Sequence, residues 1–342
     1  MAAKKSAGEV KKKPEEQEMT IKAAEEAVIK KFGVGAALFL SDVCLKKPEI
    51  IPTGSSGLDY ATGVGGIPRG RMTEVFGPPA SGKSTLALSI AAMSHTCTDG
   101  DVLYVDAEKA LDPSLVRALG LRDDRTVVID RSTAEENLDV AQIFIKTGKF
   151  SVVIIDSVAA LTPQAEFDAN FDDQFMGIHP KLMSRMCRTI KPLCSKTNTA
   201  LILINQTRDN LGQYGSPKQT TGGHAIRFFS DLRIEARGGH KSSLIAGPDG
   251  DIIGQTTTFT VVKNKLSRPW RSCSVDLIYG SGYDTIGELV TVGEELGFIK
   301  IAGAWFEYKG NKVQGKIKMR QLIIDNVELQ QELRNDVKTL LG

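Results

Sequence analysis

Eight residues, Gly77-Pro78-Pro79-Ala80-Ser81-Gly82-Lys83-Ser84, fit the pattern G-x-x-x-x-G-K-[ST] and restrict the fold more than any other stretch of the chain. In such a loop the backbone amides turn inward to cradle phosphates. The lysine reaches the outer phosphates and the serine hydroxyl ligates Mg²⁺. The flanks supply the setting this requires. Met72–Phe76 predicts a short buried strand, and Thr85–Met93 predicts a helix whose N-terminal dipole adds to the amide nest. The alternative is a Gly-rich turn with no ligand, and it needs neither flank. The nucleotide is therefore expected on Gly77, Pro78, Pro79, Ala80, Ser81, Gly82, Lys83, Ser84 and Thr85.

Around this loop the chain alternates strand and helix signals. Val102–Val105 runs into Asp106, Val152–Ile155 into Asp156, and Leu201–Ile204 into Asn205-Gln206. Apolar runs separated by helical stretches predict a mostly parallel sheet with both faces covered, an α/β fold of P-loop NTPase type. Leu232–Glu235 and Thr258–Val262 lack long helices between them and are expected to extend the sheet antiparallel. From about residue 285 helical pieces surround a short β segment at Trp305–Tyr308, which predicts a small α+β C-terminal domain. Its aromatics, Trp305, Phe306 and Tyr308, are expected mostly in that domain's core rather than as base-stacking groups. At the other end, residues 1–18 hold five Lys and four Glu with almost nothing apolar and read as a disordered arm. Ile21, Ala24, Val28 and Phe32 then recur at helical spacing. That stripe packs either on the chain's own core or on a neighbouring subunit. The expected divisions are thus a disordered arm 1–18, a helix and packing segment 19–50, an ATPase core 51–285 and a C-terminal domain 286–342.

Composition narrows the function classes. A net charge of +2 leaves nucleic-acid binding to local basic patches. Five scattered cysteines without a C-x-x-C pair predict reduced thiols. The absence of an apolar leader or a ~20-residue apolar span predicts a cytoplasmic protein without membrane contact.

Ligands of open α/β sheets sit at the carboxyl ends of the strands. Asp156, after four apolar residues, is placed where an acid holds the Mg²⁺ shell, its alternative being a helix N-cap. Glu108, two residues beyond Asp106, can take a proton from the attacking water or serve as a first-turn helix acid; the residues alone leave both open. Gln206 ends a strand and leads into Thr207–His224, rich in Gly, Thr, Ser and Pro, while Gln164–His179 forms a second such segment. Lys181, Arg185 and Arg188 follow that segment at helical spacing. Two such loops on one side of the sheet suggest a ligand surface coupled to nucleotide state; two solvated loops are the alternative.

Together these stretches resemble the bacterial RecA recombinases from about Ile29 onward. The resemblance is carried by Ile51–Asp59, Asp106–Pro113, Asp156–Pro163, Asn205-Gln206, Thr220–Gly223 and Val261–Lys265. It implies a DNA-dependent ATPase that forms helical filaments on single-stranded DNA and acts in homologous pairing, strand exchange and the response to DNA damage. It makes Lys83, Glu108 and Gln206 catalytic, with Lys263 and Lys265 reaching a neighbouring subunit's ATP. Asp112 and Tyr279 match nucleotide-contacting positions, and Ser84 and Asp156 the Mg²⁺ site. Residues 164–179 and 207–224 become DNA-binding loops, with Met176, Gly177, Lys181, Ser184, Arg188, Arg208, Tyr214, Gly222 and Gly223 at DNA. Single- and double-stranded DNA, and further copies of the chain, are the implied partners. Departures are Leu115 where a Tyr commonly packs on adenine, His224 after the Gly pair, a second loop one residue short, and an end at Leu340-Leu341-Gly342 without an acidic tail. They fit a divergent bacterium or a phage. A ring-forming RecA-fold ATPase or helicase, and a filament protein without turnover, are the alternatives.

A last signal is the run Lys300, Lys309, Lys312, Lys316, Lys318 and Arg320 against the single acid Glu307. It predicts a duplex-capture patch or, alternatively, a solvated face balanced by acids such as Glu328, Glu332 and Asp336.

Overall fold

The computed structural model describes residues 20–37, 47–170, 172–173, 175, 177–208, 219–247 and 249–339. Residues before 48 form a unit of their own. In it the helix Ile21–Phe32 is capped by the Thr20 hydroxyl and ended by Gly33, and none of its side chains is buried.

The larger unit is built on one mixed sheet. Its strands run in the order 282–283, 272–278, 252–264, 232–237, 72–77, 200–208, 150–156, 101–106, 126–129. The strand leading into the P-loop, Met72–Gly77, is central and fully buried. It pairs parallel with Ala200–Arg208 on one side and with Leu232–Arg237 on the other. Phe150–Asp156, Asp101–Asp106 and Thr126–Ile129 continue the parallel region.

Alternation along these strands divides the core into two layers. Val102, Tyr104, Val152, Ile154, Ile202 and Ile204 face the P-loop helix Lys83–Cys97, whose Leu86, Ala87 and Ile90 complete that layer. Leu103, Val105, Val153, Ile155, Leu201 and Leu203 face the other way, against the helices Ala134–Lys146 and Ile178–Lys196. Both faces being covered explains the near-continuous apolar runs.

The expected antiparallel extension begins one strand later than the sequence suggests. Ile252–Asn264 does pair antiparallel with Leu232–Arg237. Leu232–Arg237 itself, however, runs parallel to the P-loop strand. Among the described residues of the connection from Arg208 to Leu232 the one helix is the six-residue His224–Phe229. The lack of a long helix between Arg237 and Ile252 goes with the antiparallel pairing of their strands, whereas the direction of Leu232–Arg237 is set by the crossover before it.

The C-terminal region begins with the helix Thr285–Glu295, one residue before the expected division at 286. A three-stranded antiparallel sheet, 300–302, 305–308 and 311–314, and two helices, Lys316–Asp325 and Val327–Thr339, close a third cluster around Leu289, Ile299, Tyr308, Ile323 and Leu333. Phe306 and Tyr308 join that core as expected. Trp305 does not. On the opposite face of its strand it is 44% exposed, with the Lys312 ammonium 5.5 Å from its ring.

Candidate active site

The P-loop takes its shape from neighbours as well as from its own sequence. Gly82 opens the helix in the left-handed region, φ 80°, and Ala80 also has positive φ, 57°. A Cβ on Gly77 would lie 2.1 Å from the Ala236 carbonyl oxygen, so only glycine lets the adjacent strand approach this closely. Gln255, a buried residue that nothing in the sequence marked, donates from Nε2 to the Ala80 carbonyl at 2.5 Å and pins the loop from the antiparallel side of the sheet. Lys83 Nζ donates to the Pro78 carbonyl at 2.6 Å and lies 3.4 Å from Ser81 Oγ. Burial pushes its ammonium below the ordinary lysine value, against the pull of Asp156 and Glu108.

Parallel register brings the strand-end residues to the loop. Gln206 pairs with Gly77, and Asp156 with Asp106. The Asp106 carboxylate accepts from the amides of Ala110 and Leu111, fixing the turn that carries Glu108. The amides of Ala107 and Glu108 donate to the Asp156 carbonyl. Glu108 Oε1 accepts from Gln206 Nε2 at 2.9 Å and from the Ser157 hydroxyl. Glu108 is not in a helix's first turn. The helix starts at Pro113 and is capped by Asp112, which accepts from the Ser114 amide at 2.8 Å.

Asp156 is 5% exposed. Its Oδ2 accepts from the Tyr104 hydroxyl at 2.7 Å, while Oδ1 is buried without a hydrogen-bond partner. Burial raises its carboxyl above the ordinary range, offset by the hydroxyls of Ser84 and Tyr104. An unpartnered buried carboxylate oxygen, in a cleft that the Ser84 hydroxyl also lines, suits a hard divalent cation that takes its remaining ligands from water and phosphate. Among the described residues no group of three or more His, Cys, Asp or Glu could hold a metal ion alone.

These groups line one polar cleft of about 460 Å³, formed by residues 79–85 with Glu108, Asp156, Ile204, Gln206, Gln255, Leu277 and Tyr279. Such a volume suits a nucleotide-sized ligand. A second cavity of about 470 Å³ lies behind the P-loop helix, lined by Ala92, Met93, Leu119 and Val337 among others, and none of these strand-end carboxylates reaches it. Asp112, Lys263 and Lys265 are absent from the polar cleft's lining. Lys263 Nζ donates to the carbonyls of Arg227 and Phe228, and Lys265 pairs with buried Asp231 at 3.1 Å.

The bases of the two expected DNA loops meet. Thr207-Arg208 pairs antiparallel with Gln219-Thr220, so the ends of the 207–224 segment are a β ladder rather than unstructured chain. Asn205 Nδ2 bridges buried Glu74 and the Thr221 carbonyl, both at 2.9 Å. Glu74 is paired in turn with Arg233 at 2.5 Å, and that guanidinium stacks 4.4 Å from the Phe76 ring centroid. Gly222, at φ 90°, leaves no room for a Cβ, which would lie 2.9 Å from Ile226 and 3.2 Å from Met183; a Cβ on Gly223 would press on Pro180 at 3.1 Å. The second loop therefore seats on the start of the helix Ile178–Lys196. That helix follows Gly177 and carries Lys181, Ser184 and Arg188, with Lys181 and Arg188 exposed. His179 Nε2 lies 2.9 Å from the Val158 carbonyl, two residues past Asp156. Met176, Tyr214 and the Arg208 side chain lie outside the described residues.

Tyr104, Ser157, Gln255 and Glu74 were not anticipated. Only Tyr104 carried a signal, since a tyrosine inside a buried apolar strand needs a hydrogen-bond partner.

A strand, a phosphate loop and a helix, with carboxylates converging from two parallel strands and a glutamine from a third, define a P-loop NTPase. The family model for the RecA N-terminal domain matches residues 19–284, and that for the RecA C-terminal domain matches residues 287–342. Proteins named Protein RecA are similar over most of the chain. The one from Kineococcus radiotolerans is 39% identical over 331 residues, 96% of this chain and 94% of the relative. Those from Streptomyces coelicolor and Bifidobacterium breve are each 38% identical, covering 96% and 92% of this chain and 87% and 80% of the relatives. The chain belongs to the RecA family, the ATP-binding recombinases that its motifs resemble. Among the described residues no helix is long and apolar enough to cross a membrane.

Proposed function

We propose that the chain is a DNA-dependent ATPase that polymerises on single-stranded DNA and uses bound ATP to order the two loops for strand exchange with duplex DNA. The amides of residues 80–85 and the Lys83 ammonium hold the phosphates, and Tyr279, at the cleft rim, lies against the nucleoside. Ser84 and Asp156 hold Mg²⁺, which neutralises charge developing on the outer phosphates. Glu108, exposed at the mouth of the cleft, orients and deprotonates the attacking water. Asp112 contacts the nucleotide, and Lys263 and Lys265 serve that of a neighbouring subunit. The positions of the two lysines outside this chain's own cleft are consistent with action in trans.

The observation that carries the coupling is the 2.9 Å hydrogen bond from Gln206 to Glu108. Gln206 precedes the loop ladder by one residue, and its carbonyl accepts from the Thr221 amide at 3.3 Å. A γ-phosphate beside Glu108 competes for the Gln206 amide and so moves the strand end to which residues 207–224 are attached. Met176, Gly177, Lys181, Ser184, Arg188, Arg208, Tyr214, Gly222 and Gly223 form the DNA surface, where loop amides and cations meet phosphates without reading sequence. The test is Gln206→Ala. Wild-type affinity for single-stranded DNA should be higher with a non-hydrolysable ATP analogue than with ADP. In the variant that ratio should approach one while nucleotide affinity persists, and an undiminished ratio would refute the coupling.

A further inference from the structure

Tyr104 lies in the layer beneath the P-loop helix, 2% exposed, in a strand whose other buried residues on that face are Val102 and Asp106. Three carboxylates act on its hydroxyl by their charge, Asp156 first and then Asp106 and Glu108. Two are committed elsewhere. Asp106 accepts from the amides of Ala110 and Leu111, and Glu108 from Gln206 and Ser157. The phenol donates to Asp156 alone, at Oδ2 and 2.7 Å. The other oxygen of that carboxylate, Oδ1, is buried and unpartnered. A carboxylate's terminal torsion is soft, so an aspartate held only by its backbone can turn either oxygen toward a ligand. Here one oxygen is tied down and the other is left without a partner, in a carboxylate that lines the same cleft as Ser84.

We propose that Tyr104 is a positioning residue for the Mg²⁺ site: by holding Oδ2 of Asp156 it fixes the orientation of the carboxylate that, with Ser84, would hold the cation. The assignment rests on the reading of Asp156 as the metal-holding carboxylate. Donors to the far side of a metal ligand fix its orientation, and their loss typically costs about 10–100-fold in metal affinity.

The test uses the full chain and titrates Mg²⁺ calorimetrically in the presence of saturating ADP, with ADP alone as a second titration. Tyr104→Phe, which removes one oxygen and keeps the ring, should weaken Mg²⁺ about tenfold, leave Mg²⁺-free ADP affinity unchanged, and raise the Mg²⁺ concentration needed for half-maximal turnover more than it lowers the plateau. Tyr104→Leu, which removes the donor with a smaller apolar side chain, repeats the titration should the Phe variant fail to fold. Asp156→Asn tests the underlying reading and should abolish the Mg²⁺ response. If Asp156→Asn loses Mg²⁺ while Tyr104→Phe binds it like wild type, the positioning role is overturned and the metal assignment stands. Retained Mg²⁺ binding in Asp156→Asn overturns both. Equal weakening of Mg²⁺-bound and Mg²⁺-free ADP in Tyr104→Phe means the ring only packs, which also overturns the proposal.

Discussion

Charge gathers in two regions, and the two dispose of it differently. At the strand ends Glu108 and Asp156 come from separate stretches of the chain and line one cleft with Lys83, with a buried carboxylate oxygen left unpartnered. On the C-terminal domain six cations lie within twenty-one residues, and the fold pairs half of them off. Lys309 meets Glu332 and Asp336 at 3.0 and 3.5 Å, Lys316 meets Glu294 at 3.1 Å, and the Arg320 guanidinium makes two bonds to Asp284. The balancing acids anticipated for this face were Glu328, Glu332 and Asp336; Glu294 and Asp284, from the neighbouring helix and its cap, were not among them. Clustering along the sequence therefore says less about a ligand than convergence across it. Like charges close in sequence find partners on the surface at little cost. Unlike groups brought together by a parallel sheet, and left unsatisfied, are costly unless a ligand completes them.

The largest expected effect lies on the strand-end side. Glu108→Gln keeps the shape of the side chain and removes its basicity, so turnover should fall ~10²–10⁴-fold with ATP and DNA binding retained. Hydrolysis at close to the wild-type rate, measured by phosphate release, would show that convergence has been over-read here.

Next come the lysines outside the cleft. Lys263→Ala removes only bonds to two carbonyls, whereas Lys265→Ala also takes one cation from buried Asp231, which keeps Lys191 at 2.7 Å. Each should impair hydrolysis, and Lys263→Ala should do so with less effect on thermal stability. Mixing either variant with Lys83→Ala should restore part of the activity, because each chain supplies the part the other lacks. Strictly additive loss would count against a shared site.

Glu288 gives a pH test where the C-terminal domain meets the core. Its carboxylate accepts from the Ser55 hydroxyl and from the amides of Ser56 and Gly57, yet burial raises its pKa to about 7, against the pull of those donors and of Arg334. Cys273 and Tyr283 are the other titratable groups facing it. A raised carboxyl pKa means that the native state holds its proton after the unfolded chain has released it. This group's contribution to stability is therefore greatest below pH ~4.5 and lost as pH rises toward 7, a change on the order of 3 kcal/mol. Glu288→Gln should flatten the fall in thermal midpoint between pH 5 and pH 8. Parallel curves for wild type and variant would exclude Glu288 as the cause.

The smallest effect is expected on the C-terminal face. Lys300, Lys312 and Lys318 are exposed and take part in no ion pair among the described residues, so any duplex-capture surface reduces to them. Replacing all three with Ala should flatten the salt dependence of duplex affinity, by about 0.9 in log–log slope for each phosphate no longer neutralised. An unchanged slope would remove the patch as a DNA site and sharpen the contrast with the strand ends.

How far these features could be read in advance depended on how local their causes are. The P-loop, the buried parallel strands and the Asp156 position follow from short apolar runs and one motif, because a strand covered on both faces must be apolar throughout. The direction of Leu232–Arg237 was not legible, since it is set by where the chain crosses the sheet. Trp305 is the exception among the three aromatics, because a run along a strand does not bury as a block. Strand alternation puts Phe306 and Tyr308 on one face and Trp305 on the other. Glu108 could not be separated from a helix-turn acid by residues alone, because its partners, Gln206 and Ser157, are 98 and 49 positions away. Gln255 and Glu74 act through neighbours in the sheet order, which no local pattern encodes.

The central claim is that chemistry at the strand ends and DNA at the loops share one switch through Gln206. It is tested most directly by phosphate release from the full chain with saturating Mg²⁺ and ATP, measured before and after adding single-stranded DNA. The account predicts slow turnover alone and a clear rise once DNA is present. The same rate under both conditions would contradict it.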